Sequence, residues 1–187
     1  MKNKILKILF IITITISVLS SCNNDVLPKP TAFLRLEYPN DNYTLTKTTP
    51  YEFETPKKSK ILVNSKYWMK IKYPKLKASI EITYRPIENN LNELLLEAEK
   101  LTITHAKKAD EIYYDTYKNE LNKVYGKLSN VTGNAASPLQ FYLTDSTKHF
   151  LTGAIYFNVQ PNYDSIYPAI KYIEKDVKHL INTTAWH

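Results

Sequence analysis

Residues 130–158, NVTGNAASPLQFYLTDSTKHFLTGAIYFN, constrain the fold of this chain more than any other stretch. Two dense apolar runs flank the polar turn Asp145-Ser146-Thr147-Lys148, and two of the chain's three glycines, Gly133 and Gly153, lie inside it. Runs rich in Phe, Tyr, Leu and Ile and bounded by turn residues predict strands. Leu139, Phe141 and Leu143 alternate on one face of the first run. The second run is apolar on both faces: Leu151, Ile155 and Phe157 on one, Phe150, Ala154 and Tyr156 on the other. Such a strand belongs in the middle of a sheet that is covered on both sides.

The N-terminus asks for a separate reading. Lys2, Lys4 and Lys7 precede an apolar segment over residues 8–19, shorter than the about 20 residues a membrane-spanning helix needs. Residues 1–21 therefore read as a secretory signal peptide. Leu19-Ser20-Ser21-Cys22 resembles the bacterial lipobox, in which the cysteine is acylated and becomes the new N-terminus. An ordinary signal would leave Cys22, the only cysteine, as an odd thiol in an exported protein. Lipidation removes that oddity, and two or more acyl chains (palmitate-type) anchor stably. Residues 22–31, with Pro28 and Pro30, then form a tether, and residues 32–187 a single globular domain.

Charge excludes one class of partner. The chain carries +7, and loss of three signal lysines leaves 7 − 3 = +4, too mild for nucleic acid. Weak attraction to anionic headgroups is compatible with it. Without a second cysteine, stability must come from a core built with fifteen tyrosines and six phenylalanines.

Along the chain, residues 33–38 predict a first strand, and residues 51–54 and 61–63 two short ones separated by the basic loop Lys57-Lys58-Ser59-Lys60. Strict alternation follows: Tyr67, Met69, Ile71 and Tyr73 against Lys66, Trp68, Lys70 and Lys72, then Ala78, Ile80, Ile82 and Tyr84 against polar neighbours. That period predicts antiparallel strands with one wet face. Trp68 lies on the lysine side, as a cover for lysine stems or as a surface anchor for a partner. From Leu91 the period becomes 3.6, with Leu91, Leu94, Leu95, Ala98, Leu101 and His105 in one stripe, predicting a helix to about residue 108. Residues 110–118 fit either helix or strand; residues 123–131 predict a strand with Gly126 at a bulge or close approach. A last helix carries Ile166, Ile170, Ile173, Val177, Leu180 and Ile181, capped by Asn162, Asp164 or Ser165, with Trp186 and His187 as a short tail. The order predicts an α+β fold: a mostly antiparallel sheet of about five to seven strands, with a long mid-chain helix and a C-terminal helix packed on it.

Chemistry is harder to find. The four histidines, His105, His149, His179 and His187, have no metal-ligand spacing, and no nucleophile elbow, phosphate loop or zinc motif occurs. The best catalytic grouping is Asp145, Ser146 and His149, or Ser137 with His149 and Asp145, as a hydrolase. The plainer reading makes Asp145 and Ser146 turn-formers and His149 the start of a strand. Neither a catalytic residue nor a cofactor is expected. The loop Gly133, Asn134, Ala135, Ala136, Ser137 and Pro138 is small enough for another backbone to approach, so it is either a tight internal loop or an interaction edge. A cavity between sheet and helices would instead suit a carrier of a small apolar ligand.

The lipobox, the run K-P-x-x-x-x-R-L-x-Y-P over 29–39, GNAASPLQFYLTDSTKHFLTGAIYF over 133–157 and PNYDS over 161–165 resemble the gliding-motility lipoprotein GldD family of Bacteroidetes-type bacteria. That resemblance covers nearly the whole mature chain. It implies a non-enzymatic cell-envelope lipoprotein required for gliding motility, whose partners are other gliding and type IX secretion envelope proteins, membrane-held through Cys22. Residues 23–25 lack the acidic run linked to surface export, so the domain is expected to face the periplasm.

Overall fold

The computed structural model describes residues 42–187 apart from Lys66, Gln160 and Pro161, together with Ile5 and Leu36. The expected signal peptide, Cys22, the tether and nearly all of the strand expected over 33–38 lie outside the described residues.

Seven strands form one antiparallel sheet in the order β3-β4-β5-β9-β8-β7-β6. They are β3 (Lys60–Ser65), β4 (Trp68–Tyr73), β5 (Ala78–Pro86), β6 (Ala109–Asn119), β7 (Val124–Gly133), β8 (Leu139–Thr144) and β9 (His149–Phe157). A smaller antiparallel sheet joins β1 (Tyr43–Lys47), β2 (Tyr51–Pro56) and β10 (Ala185–Trp186) in the order β1-β2-β10. Helices α1 (Leu91–His105) and α2 (Tyr163–Thr183) complete an α+β fold of the expected kind.

The doubly apolar strand sits where its pattern demands. β9 is fourth of seven, between β5 and β8. Its register places Ile82 opposite Gly153 and Ile80 opposite Ile155 on one side, and Phe141 opposite Gly153 on the other. Met69, Ile71, Ile80, Ile82, Leu151, Ile155, Phe141, Leu143 and Leu128 thereby share one face. That face forms a single buried cluster with Tyr51 and Phe53 of β2 and Ile173, Val177, Leu180 and Ile181 of α2. The opposite face carries Lys70, Lys72, Glu81, Tyr142, Phe150 and Tyr156, and α1 packs there over β8 and β9.

Gly153 is required by the core: a Cβ on it would stand 2.2 Å from the Phe141 ring. Gly126 marks a close approach with regular pairing rather than a bulge, since its Cβ would lie 2.3 Å from the Tyr142 carbonyl oxygen.

Several expectations change. α1 ends at His105, where Ala106 donates to the Thr102 and Ile103 carbonyls, three residues earlier than its periodicity suggests. Thr102 is buried and Leu101 exposed, because the helix meets the sheet along a narrow line. The ambiguous segment after it is β6, which among the described residues pairs with β7 alone at the edge of the sheet and carries Asp110, Glu111, Asp115 and Lys118, charges that discourage edge-to-edge association. Asn162 caps α2 by accepting the Ser165 N–H at 3.3 Å. The C-terminal residues are no loose tail: Ala185 and Trp186 pair with Glu52 and Tyr51, and His187 N–H donates to the Pro50 carbonyl.

Candidate functional sites

The hairpin tip between β8 and β9 holds the sequence's best catalytic grouping. Asp145 accepts backbone N–H groups from Thr147 (3.0 Å), Lys148 (2.8 Å) and His149 (2.8 Å), and the Thr147 hydroxyl at 2.7 Å. Burial raises its pKa, but these donors outweigh burial together and bring it to about 2. Ser146 takes a left-handed conformation (φ 66°), and its N–H donates to the Thr144 hydroxyl. The carboxylate is therefore saturated by the turn, the geometry of an Asx motif.

His149 points elsewhere. Its Nδ1 shares a 2.9 Å hydrogen bond with the Tyr84 hydroxyl, and its ring stacks on Trp186 with centroids 5.2 Å apart. Burial lowers its pKa, Asp145 pulls it up, and Lys148 and His187 push it down again. Trp186 in turn donates its indole N–H to the Lys123 carbonyl at 3.1 Å. This cluster locks β10 over the hairpin. Ser137 does not join it: the residue precedes β8, His149 opens β9 at the far end, and about 20 Å of strand intervenes. The Ser137 hydroxyl, fully buried, donates to the Leu139 carbonyl instead. The Ser137–His149–Asp145 grouping is thus separated by the fold.

The loop of Gly133 to Pro138 packs against its own chain. Gly133 adopts φ 82° and lies so close to Asp110 that a Cβ would meet its backbone nitrogen at 2.8 Å. Ala136 N–H donates to the His105 carbonyl, and Asn134 Oδ1 accepts the Tyr163 N–H at 3.0 Å. The loop ties together the end of α1, the start of β6 and the start of α2. Ala135, Ser137 and Pro138 are buried, leaving Asn134 and Ala136 exposed. Trp68 is half-buried at the start of β4, opposite Thr83, on the face that carries Lys70 and Lys72. His105 is half-buried with its ring edge-on to Tyr156.

Two features of α2 escape a sequence reading. Asp176, six percent exposed, accepts the hydroxyls of Tyr43 (2.9 Å) and Tyr73 (3.1 Å). Glu174, also buried, pairs with Lys171 (2.7 Å) and Lys178 (2.8 Å). Burial pushes the Glu174 carboxyl up, and the two lysines more than reverse it. Both acids look like ordinary polar positions of an amphipathic helix. Only the three-dimensional pairing with tyrosines from β1 and β4 reveals Asp176 as a buried tie. Tyr84 and Trp186 were likewise unmarked as companions of His149, because a register across two sheets leaves no local signal.

The space beneath α1, lined by Ala98, Thr102, Ser129, Gln140 and Thr152, holds about 20 Å³, room for a single water. Among the described residues no group of His, Cys, Asp and Glu is placed to hold a metal ion, and no helix is long and apolar enough to cross a membrane.

A family model described as gliding motility lipoprotein GldD matches residues 23–186. No curated protein matches the chain.

Proposed function

This chain belongs to the gliding motility lipoprotein GldD family, and from that premise we propose that it is a non-enzymatic assembly or stability component of the gliding and type IX secretion machinery. In this reading acylated Cys22 holds the domain on a membrane of the cell envelope, and the domain faces the periplasm. The family match carries the proposal: it runs from the residue after Cys22 to the penultimate residue. The hairpin tip supports the non-enzymatic part. Asp145 is consumed by backbone donors and His149 by Tyr84 and Trp186, so neither is poised as an acid behind a base. The space under α1 holds about 20 Å³ and the cleft between α2 and the sheet about 170 Å³, both below the about 300 Å³ at which ligand pockets begin, and this favours a scaffold over a carrier of apolar ligands.

Clean deletion is expected to abolish colony spreading and type IX secretion together, with loss of partner lipoproteins; normal motility would remove the proposal. A Cys22→Ala variant is expected to leave the membrane fraction and lose function, because the anchor confines the domain's search to one surface. A Ser146→Ala, His149→Ala double variant that folds should retain full motility; its inactivity in a folded protein would restore the hydrolase.

A further inference from the structure

Residue 42 lies at one corner of the described domain, where the Asn42 carbonyl accepts the Lys57 N–H of the β2–β3 turn at 2.9 Å. The β4–β5 turn lies at the same end of the seven-stranded sheet, because Lys60 pairs with Lys72 and Tyr73 with Ala78. Six lysines are exposed there: Lys57, Lys58, Lys60, Lys72, Lys75 and Lys77. Lys60 and Lys72 are direct cross-strand partners, a like-charge placement that destabilises a sheet unless an anion relieves it. Among the described residues, the ion pair of this corner joins Lys70 to Glu81 and leaves those six without a carboxylate. A groove of about 600 Å³ opens beside them over β4, β5 and β9, lined in part by Lys70, Lys72, Lys77, Ser79, Tyr156 and Asn158.

We propose that this corner is a docking surface for anionic phospholipid headgroups of the membrane that carries the anchor, an inference that rests on the lipid anchorage proposed above. The tether expected over residues 22–31, ten residues, can reach about 35 Å from the anchor, which leaves the domain's orientation to be set by its surface. A basic corner would orient the tethered domain electrostatically. The composition suits lipid rather than a specific acidic partner. Every cation of the corner is a lysine, a mobile point charge, and none is an arginine with the planar fork used for bidentate recognition. Each lysine near an anionic surface strengthens binding roughly fivefold.

The test uses the acylated protein in two kinds of vesicle. Flotation on neutral phosphatidylcholine reads anchorage alone, so failure there removes the lipid anchor and not the corner. Amine acetylation followed by mass spectrometry reads the corner. Labelling of the six lysines should be about tenfold slower in vesicles with about one-third phosphatidylglycerol than in neutral ones. Lys100 and Lys118 should label equally in both, and high salt should erase the protection. The variant Lys57→Gln, Lys58→Gln, Lys60→Gln, altered only at exposed positions, should lose most of the protection of Lys72, Lys75 and Lys77. Equal labelling of the six in both vesicles, protection indifferent to salt, or a triple variant protected like the parent would each overturn the proposal.

Discussion

The two faces of the seven-stranded sheet are covered in different ways. On one, α2 and the small sheet close over β4, β5, β9 and β8, and Phe53, Met69, Ile71, Ile82, Leu151, Ile173 and Val177 retain essentially no exposure. On the other, α1 covers β8 and β9 while β4 and β5 present lysines, Glu81 and Trp68. The helices differ accordingly. α2 buries Ile170, Ile173, Val177, Leu180 and Ile181 along one stripe, whereas α1 buries Leu94 and leaves Leu96, Leu101 and Ile103 exposed. Stability resides mainly in the first face, and the second is freer to take on surface properties without cost to the fold.

Truncations should expose that asymmetry most strongly. Ile173→Ala on α2 removes a fully buried side chain and is expected to cost about 2–5 kcal/mol. Leu101→Ala on α1, 41% exposed, should cost under about 0.5 kcal/mol. Chemical denaturation of both variants checks the pair, and equal losses would break the distinction between the faces. Gly153→Ala should follow at about 1–3 kcal/mol, since its methyl group would overlap the Phe141 ring inside the dense face.

The dense face was also the part most legible in the sequence. The two-sided apolar pattern of residues 150–157 placed β9 centrally, and period-2 alternation placed β4 and β5 with the correct side inward. Those patterns are readable because burial selects side chains one residue at a time. The sparse face was less legible for the same reason. With only Leu94 and Thr102 buried on α1, its periodicity is weak, and the predicted stripe misassigned Leu101. Long-range ties left no trace either. Nothing local in Ala185 and Trp186 says that they pair with β2, and nothing around Asp176 says that two tyrosine hydroxyls converge on it. As for the candidate site, the Asx-type turn at Asp145 was legible from its residues, while the Tyr84 and Trp186 contacts of His149 were not.

Asp176 offers a sharper probe, because it is a polar group on the apolar side. Asp176→Ala leaves the buried Tyr73 hydroxyl without its partner and should cost about 1–3 kcal/mol. The triple change Asp176→Leu, Tyr43→Phe, Tyr73→Phe removes the carboxylate together with both hydroxyls that donate to it and should recover part of that loss. Failure to recover would mean that Asp176 is needed for more than satisfying hydroxyls.

A smaller, pH-dependent difference belongs to His149. Its folded pKa lies below the ordinary 6.5 because burial disfavours the cation. The unfolded chain therefore binds the proton first, so the stabilising contribution of neutral His149 is complete above pH 6.5 and is lost as pH falls below it. Thermal melting across that window should show the parent losing stability relative to His149→Gln as the solution is acidified. Asp145 acts in a separate range, with stability present above pH 3.8 and lost toward about 2.

The smallest effect is expected on the outer side of α1. Leu96 and Ile103 lie seven residues apart on one helical face and are 66% and 60% exposed. Leu96→Lys and Ile103→Lys should each change stability by no more than about 0.5 kcal/mol, because neither side chain gives up burial on substitution. Lysine also has a better helix propensity than the isoleucine it replaces at position 103, where a β-branched residue loses side-chain freedom. A loss well beyond that size would mean that this side of α1 is covered in solution, and the contrast between a packed face and an open one would have to be redrawn there first.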